Sequence, residues 1–173
     1  MKLTKVFLAL VLVLIHTISY SSEVENGQIF IESYQPQKHG AKNQVWGITQ
    51  DHRGVMYFAN SDGLVEFDGA NWSVIEVEGE EAVRSIDIHN NGTIYLGSKG
   101  NFGYLKEDSR GNKRFVSLKS KMEESRRFGK VWQTHCTADG VFFVTNNEIF
   151  FWNDQELKTF NVKRSGNIQT IEN

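Results

Sequence analysis

The sequence predicts an all-β fold built from repeated four-stranded units. Three observations carry this expectation: the composition, the alternation of short apolar runs with polar turns, and a repeat that aligns Val45, Val83 and Val131. Aromatic residues make up 12% of the 173-residue chain, and aromatic and β-branched side chains suit pleated, packed surfaces. Pro occurs once and Gly 15 times, and glycine serves tight turns. Beyond the first twenty-odd residues, few Ala or Leu fall at helical spacing.

The repeat is the strongest signal, because self-similarity at a fixed period marks stacked architectures. Nine residues after each aligned valine stands Gly54, Gly92 or Gly140, closing a polar turn. The turns read Asp51-His52-Arg53-Gly54, His89-Asn90-Asn91-Gly92 and Thr137-Ala138-Asp139-Gly140. Three residues past each glycine comes an aromatic: Tyr57, Tyr95 or Phe143. Four strand-like runs recur in each unit. The first unit gives 45–50, 55–59, 64–67 and 72–77. The second gives 83–88, 93–97, 102–106 and 113–118, and the third 131–136, 141–145, 148–152 and 156–162. Each run is bounded by Gly, Asn, Asp or Ser, as hairpin strands are. Runs such as Val55-Met56-Tyr57-Phe58 are apolar on both faces, which fits sheets buried between sheets.

Units of this length and make-up are blades of a β-propeller, at about 44–78, 82–118 and 130–163. Residues 44–173 are therefore expected to form a partial propeller, with a fourth blade beginning at Ile168-Gln169-Thr170-Ile171. Propellers typically close with four to eight blades, so the sequence is expected to be the N-terminal portion of a larger whole. The run Lys119 to Lys130 carries five basic and two acidic residues and reads as a solvated loop or short helix between blades. Cys136 is the one cysteine. It excludes an internal disulfide and a cysteine zinc cage, and is expected to be an inert thiol in a strand.

Residues 1–21 read as a secretory signal peptide. Lys2 and Lys5 precede the apolar run Val6 to Ile15, and Ser19 and Ser21 stand at the −3 and −1 positions of a cut after Ser21. The apolar run is about half of what a bilayer span needs, so the mature chain is expected to be exported, periplasmic and without a transmembrane helix. Residues 22–43 are read as an N-terminal extension with a strand. Lys and Arg number 19 against 21 Asp and Glu, which argues against nucleic acid as a partner.

The stretch from Gln44 to Trp72, with Val-Trp-Gly-Ile-Thr-Gln-Asp-His-Arg-Gly and then Asp-Gly-Leu-Val-Glu-Phe-Asp-Gly-Ala-Asn-Trp, resembles the two-component regulator propeller repeat. Ile94 to Gly97 and Phe102 to Leu105 are similar to a second blade of such sensors. Val131 to Thr134 and Phe150 to Trp152 match more loosely, and the third unit lacks the Asp-Gly pair after its third strand. The resemblance implies an extracytoplasmic sensor domain. Such domains are followed by a triple-tyrosine β-sandwich, a membrane span and an output such as a histidine kinase, a DNA-binding regulator or a nucleotide cyclase. The implied partners are the downstream blades and signalling domains, and a periplasmic small molecule, oligosaccharide or peptide.

No catalytic motif is found, neither a Gly-rich phosphate loop, nor His-Glu-x-x-His, nor Gly-x-Ser-x-Gly. The expectation is a binding protein without cofactor or metal rather than an enzyme. Asp51, Asp62, Asp68 and Asp87 stand near turns, where Asp more often bonds its own backbone than a cation. The candidate ligand-binding residues are Trp46, Arg84 and Trp132, each directly after an aligned valine, with Asn60 and Lys99 in the turns between second and third strands. Aromatic faces beside polar groups suit sugars and other mixed ligands, although a tryptophan at a blade edge also serves to pack one blade on the next. Three functions stay open on the sequence: a ligand-binding sensor, an exported protein–protein scaffold, and a fragment of an exported propeller hydrolase or lyase.

Overall fold

The computed structural model describes residues 31–34, 40–77, 82–123 and 126–162. The proposed signal peptide and the start of a fourth blade lie outside these residues. Of the N-terminal extension, residues 31–34 and 40–43 are described, and they lie outside strands. The chain divides into two compact units, Met1–Ser33 and Tyr34–Asn173, and every described strand belongs to the second.

Twelve described strands form three four-stranded antiparallel sheets. The first blade holds β1 (Val45–Gln50), β2 (Met56–Asn60), β3 (Gly63–Phe67) and β4 (Trp72–Ile75). The second holds β5 (Ser85–Ile88), β6 (Ile94–Gly97), β7 (Phe102–Glu107) and β8 (Lys113–Ser117). The third holds β9 (Gln133–Thr137), β10 (Gly140–Val144), β11 (Glu148–Trp152) and β12 (Leu157–Asn161). In each blade the strands pair in chain order as a meander. The only helix among the described residues is a single 3₁₀ turn, Lys119–Lys121, within the basic linker.

The first turns form as the sequence reading requires. Gly54 and Gly92 adopt φ of +87° and +85°, a region that side chains with a Cβ resist. The third blade, which lacks the Asp-Gly pair, uses Asp154 itself at φ +67°, a conformation Asp tolerates better than most residues. Its carboxylate accepts hydrogen bonds from Trp152 Nε1 at 3.0 Å and from the Tyr95 hydroxyl at 3.2 Å. The missing glycine is thus replaced by a residue that also ties blade three to blade two.

The core lies between blades. Tyr57, Ala59 and Leu64 of the first blade meet Val83, Ile94, Leu96 and Leu105 of the second. Tyr95 and Phe102 of the second meet Val131, Val141, Phe143, Phe150 and Trp152 of the third. The three aligned aromatics, Tyr57, Tyr95 and Phe143, are all buried. Phe102 stacks on Phe143 and Phe150 with centroids 4.5 and 4.9 Å away. All four residues of β6 are buried, because the middle blade is covered on both faces. On the first blade, the face away from blade two carries Phe58, Phe67 and Trp72, with Tyr34 packed against Phe67 and Trp72 at 5.3 Å.

Two strand starts differ from the sequence reading by more than one residue. It began β5 at Val83 and β9 at Val131, whereas the ladders begin at Ser85 and Gln133. The reason is a change of partner. The Val83 N–H donates to the Asn60 carbonyl at 3.0 Å and the Val131 N–H to the Ser98 carbonyl at 2.9 Å, each in the preceding blade. These valines are therefore blade-to-blade rivets and are fully buried, whereas Val45, with no blade before it among the described residues, is 42% exposed.

Candidate functional site

The first strands of successive blades lie side by side, β1 against β5 and β5 against β9. Two devices bring β5 and β9 close. Gly97 leaves room for Val131, since a Cβ there would sit 2.4 Å from Val131 Cγ1. The hydroxyls of Ser85 and Thr134, both buried, bond each other at 2.7 Å across the blade boundary. Lower down, Asp87 accepts the Cys136 N–H at 2.7 Å, and His89 Nε2 lies 3.0 Å from the Thr137 carbonyl.

This register places the residues after the three aligned valines in one cluster. In β1 the pairing slips between Val45 and Gly47, so Trp46 is a bulge residue without a cross-strand partner. Bulges re-aim side chains and recur next to binding sites. Arg84 and Trp132 hold the matching places, their N–H groups donating to Gly97 and Val144 carbonyls at 2.7 and 2.8 Å. The Arg84 guanidinium carbon lies 3.8 Å from the centre of the Trp46 ring and 6.0 Å from that of Trp132. Lys130 Nζ stands 5.1 Å from the Trp132 ring centre. These distances suit cation–π attraction, worth roughly 0.5–1 kcal/mol at exposed sites and more when dry. Both indoles remain open to solvent, Trp46 at 37% and Trp132 at 40% exposure.

Of the five candidate residues, the structure brings Trp46, Arg84 and Trp132 into direct contact and sets Lys99 beside them. Lys99 is exposed and forms an antiparallel bridge with Lys130. The Gly100 N–H donates to the Gly129 carbonyl at 2.9 Å, so the end of the basic linker is laid along the turn after β6. Asn60 stands apart from the cluster. It is fully buried, with its amide donating to the Lys42 carbonyl at 2.6 Å and its Oδ1 accepting the Asp62 N–H at 3.0 Å. Its amide is used within the protein, where it fixes the turn after β2.

Lys130 is the member of the cluster that sequence reasoning missed. It was absorbed into a charged linker, although its place directly before the aligned Val131 was a usable signal. The turn aspartates bond inward: Asp68 accepts the Ala70 and Asn71 N–H groups at 2.8 and 2.7 Å, and Asp62 pairs with Lys42. Among the described residues no group of three His, Cys, Asp or Glu side chains converges as metal ligands. A separate cleft of about 230 Å³ opens between blades one and two, lined by Arg53, Asn91, Thr93, Leu105, Glu107 and Lys113. Its two cations are already engaged, Arg53 with Asp51 and Lys113 with Glu66, each at 2.8 Å.

Three meanders of four strands, packed face to face with their first strands innermost, define the protein as a β-propeller fold. No known family profile matches the sequence, and no curated protein matches it. Solved structures do. One is a streptogramin B lyase, 12% identical at a TM-score of 0.51 over 66% of this chain and 39% of that one. Another is the extracellular domain of a putative one-component system from B. thetaiotaomicron, 19% identical at a TM-score of 0.49 over 69% of this chain and 16% of that one. Both are propellers, and at these identities the likeness concerns the fold. The chain spans well under two thirds of the length of either. No helix among the described residues is long and apolar enough to cross a membrane.

Proposed function

We propose that this chain is the ligand-binding part of an extracytoplasmic sensor of the two-component regulator propeller type, and that it binds its signal at the Trp46–Arg84–Trp132 cluster. The single observation behind this reading is the cluster itself. Three blades contribute one residue each from the matching place at the head of the first strand, and the two indoles stay half open. Packing alone explains a buried indole better than an exposed one, since exposure forfeits roughly 25 cal/mol per Å² of apolar area. The repeat resemblance and the signal-peptide pattern support an exported sensor. A module of this kind needs no catalytic group of its own, and its output belongs to domains further along such proteins.

The test has two arms. Fractionation of cells expressing the full chain should find it in the periplasm with a mature N-terminus near Ser22. Cytoplasmic retention with Met1 intact would refute the export half. Thermal-shift screening of the full chain against sugars, carboxylic acids and peptides should give ligands that raise Tm. Those shifts should vanish in the Trp46→Ala/Trp132→Ala double variant. Hits indifferent to that variant, or no hits, would refute the site.

A further inference from the structure

We propose that the cluster selects anionic sugars: a pyranose ring lies against an indole face while its charged group meets Arg84 and Lys130. This rests on reading the cluster as the ligand site and adds the chemistry of what it holds.

The charge pattern carries the inference. Lys42, Arg53, Lys113, Arg126 and Lys158 each meet a carboxylate. Arg84 and Lys130 meet aromatic faces instead, and neither has an ion pair among the described residues. Arg84 Nε is buried with no hydrogen-bond partner among the described residues, as is Arg126 Nε, but Arg126 has Glu148 for its charge and Arg84 has no carboxylate among them. A buried N–H left unsatisfied is costly, and a cation–π contact does not satisfy it. That contact uses the guanidinium's charge over the ring face, while the N–H donors of the two Nη atoms lie in the guanidinium plane and meet no acceptor among the described residues. An anionic oxygen pair fits that fork, because Arg donates in parallel to carboxylates and other oxyanions. Lys130 adds a second positive charge beside Trp132, and the bridge to Lys99 brings a second lysine alongside. The chain as a whole has a formal net charge of −2, so this cationic corner is a local feature, the kind that raises the local concentration of anions.

The ring half of the ligand follows from the indoles. A flat, half-exposed indole takes a surface with both apolar C–H and polar edges, which a pyranose offers and a small inorganic anion does not. The acidic run directly before Arg84, with Glu78, Glu80 and Glu81, lies outside the described residues. As the rival counter-charge, it has its own place in the test.

The experiment titrates the full chain, followed by tryptophan fluorescence, with digalacturonic acid, a sulfated galactose disaccharide and neutral galactobiose. Either anionic sugar should bind about tenfold or more tightly than the neutral one, the scale of one charge-assisted hydrogen bond. The preference should shrink as salt rises from 20 to 500 mM, as screening requires. Comparison of the two anionic probes tells carboxylate from sulfate. Arg84→Gln and Lys130→Gln, with near-ultraviolet circular dichroism unchanged, should each reduce the preference. The Glu78→Gln/Glu80→Gln/Glu81→Gln variant should keep it or raise it. Equal binding of the neutral sugar, or a preference unmoved by Arg84→Gln, overturns the anionic inference and leaves the ligand site standing if Trp46→Ala/Trp132→Ala abolishes binding. Loss of the preference in the glutamine triple variant, or no binding of either anionic sugar, also overturns it. Should the screened ligands prove indifferent to the two tryptophans, the site reading itself falls.

Discussion

Replacing Gly97 by alanine places one methyl group where blades two and three come closest. The new Cβ would lie 2.4 Å from Val131 Cγ1, 2.6 Å from Val131 Cβ and 2.7 Å from Ser85 Oγ. Ordinary carbon contacts are about 3.5–4.0 Å, so more than an ångström of overlap must be relieved. Val131 is fully buried and its N–H is held by the Ser98 carbonyl, so relief means moving the start of blade three away from β6. Overpacking of this kind costs about 1–3 kcal/mol. Displacing Val131 also strains the Ser85–Thr134 hydrogen bond, worth about 1 kcal/mol more. A total of about 2–4 kcal/mol lowers Tm by roughly 5–15 °C in a chain of this size. The assay is thermal unfolding of the full chain by circular dichroism. Gly97→Ala/Val131→Ala should recover part of the loss, and Gly129→Ala, where a Cβ meets nothing within 4 Å, should be nearly neutral. A Gly97→Ala protein melting within 2 °C of wild type would refute the blade packing described here.

Ser85→Ala removes the buried hydroxyl partner of Thr134 and should cost about 1–2 kcal/mol in urea unfolding; Ser85→Ala combined with Thr134→Val should cost less than the sum of the two single changes. Asp51 accepts the Arg53 and Val55 N–H groups and the Arg53 side chain. Burial acts to raise its carboxyl pKa, but the bonds from Arg53, Val55 and the Arg53 charge outweigh it and hold the pKa below the ordinary range. A depressed carboxylate stabilises the fold above its unfolded pKa of about 3.9 and loses that contribution as pH falls through the folded value. Asp51→Asn should therefore flatten the acid limb of stability below about pH 4, and an unchanged limb would exclude Asp51 as its source. The Cys136 thiol is pushed up to about 12 by burial, then by the neighbouring Asp87 carboxylate. It should resist a thiol-specific reagent at pH 8 in the native protein and react fully in 6 M guanidinium chloride, because the thiolate is the reactive form.

The sequence determined the strand content and the order of the blades, because both rest on local chemistry. Glycine at a turn and alternation of apolar residues act over a few positions, so β1 and β11 fall where the runs 45–50 and 148–152 predicted. Alignment of the repeats also singled out Trp46, Arg84 and Trp132 as equivalents, since equal positions in stacked blades must become neighbours. What the alignment did not contain was the distance between those neighbours or the sign of their partners. Arg84 sits 3.8 Å over Trp46 because the Val83 N–H is held by the Asn60 carbonyl and Gly47 lets Ile86 come close, contacts that join residues 23 and 39 positions apart. The burial of Asn60 was equally hidden, for it depends on the Lys42 carbonyl arriving from the segment before β1. Lys130 joined the site only when the linker folded back along the turn at Lys99. Periodicity fixes which face of a strand is apolar. Only the meeting of blades decides which polar group is left without a partner, since that depends on every side chain the neighbouring sheet brings to it.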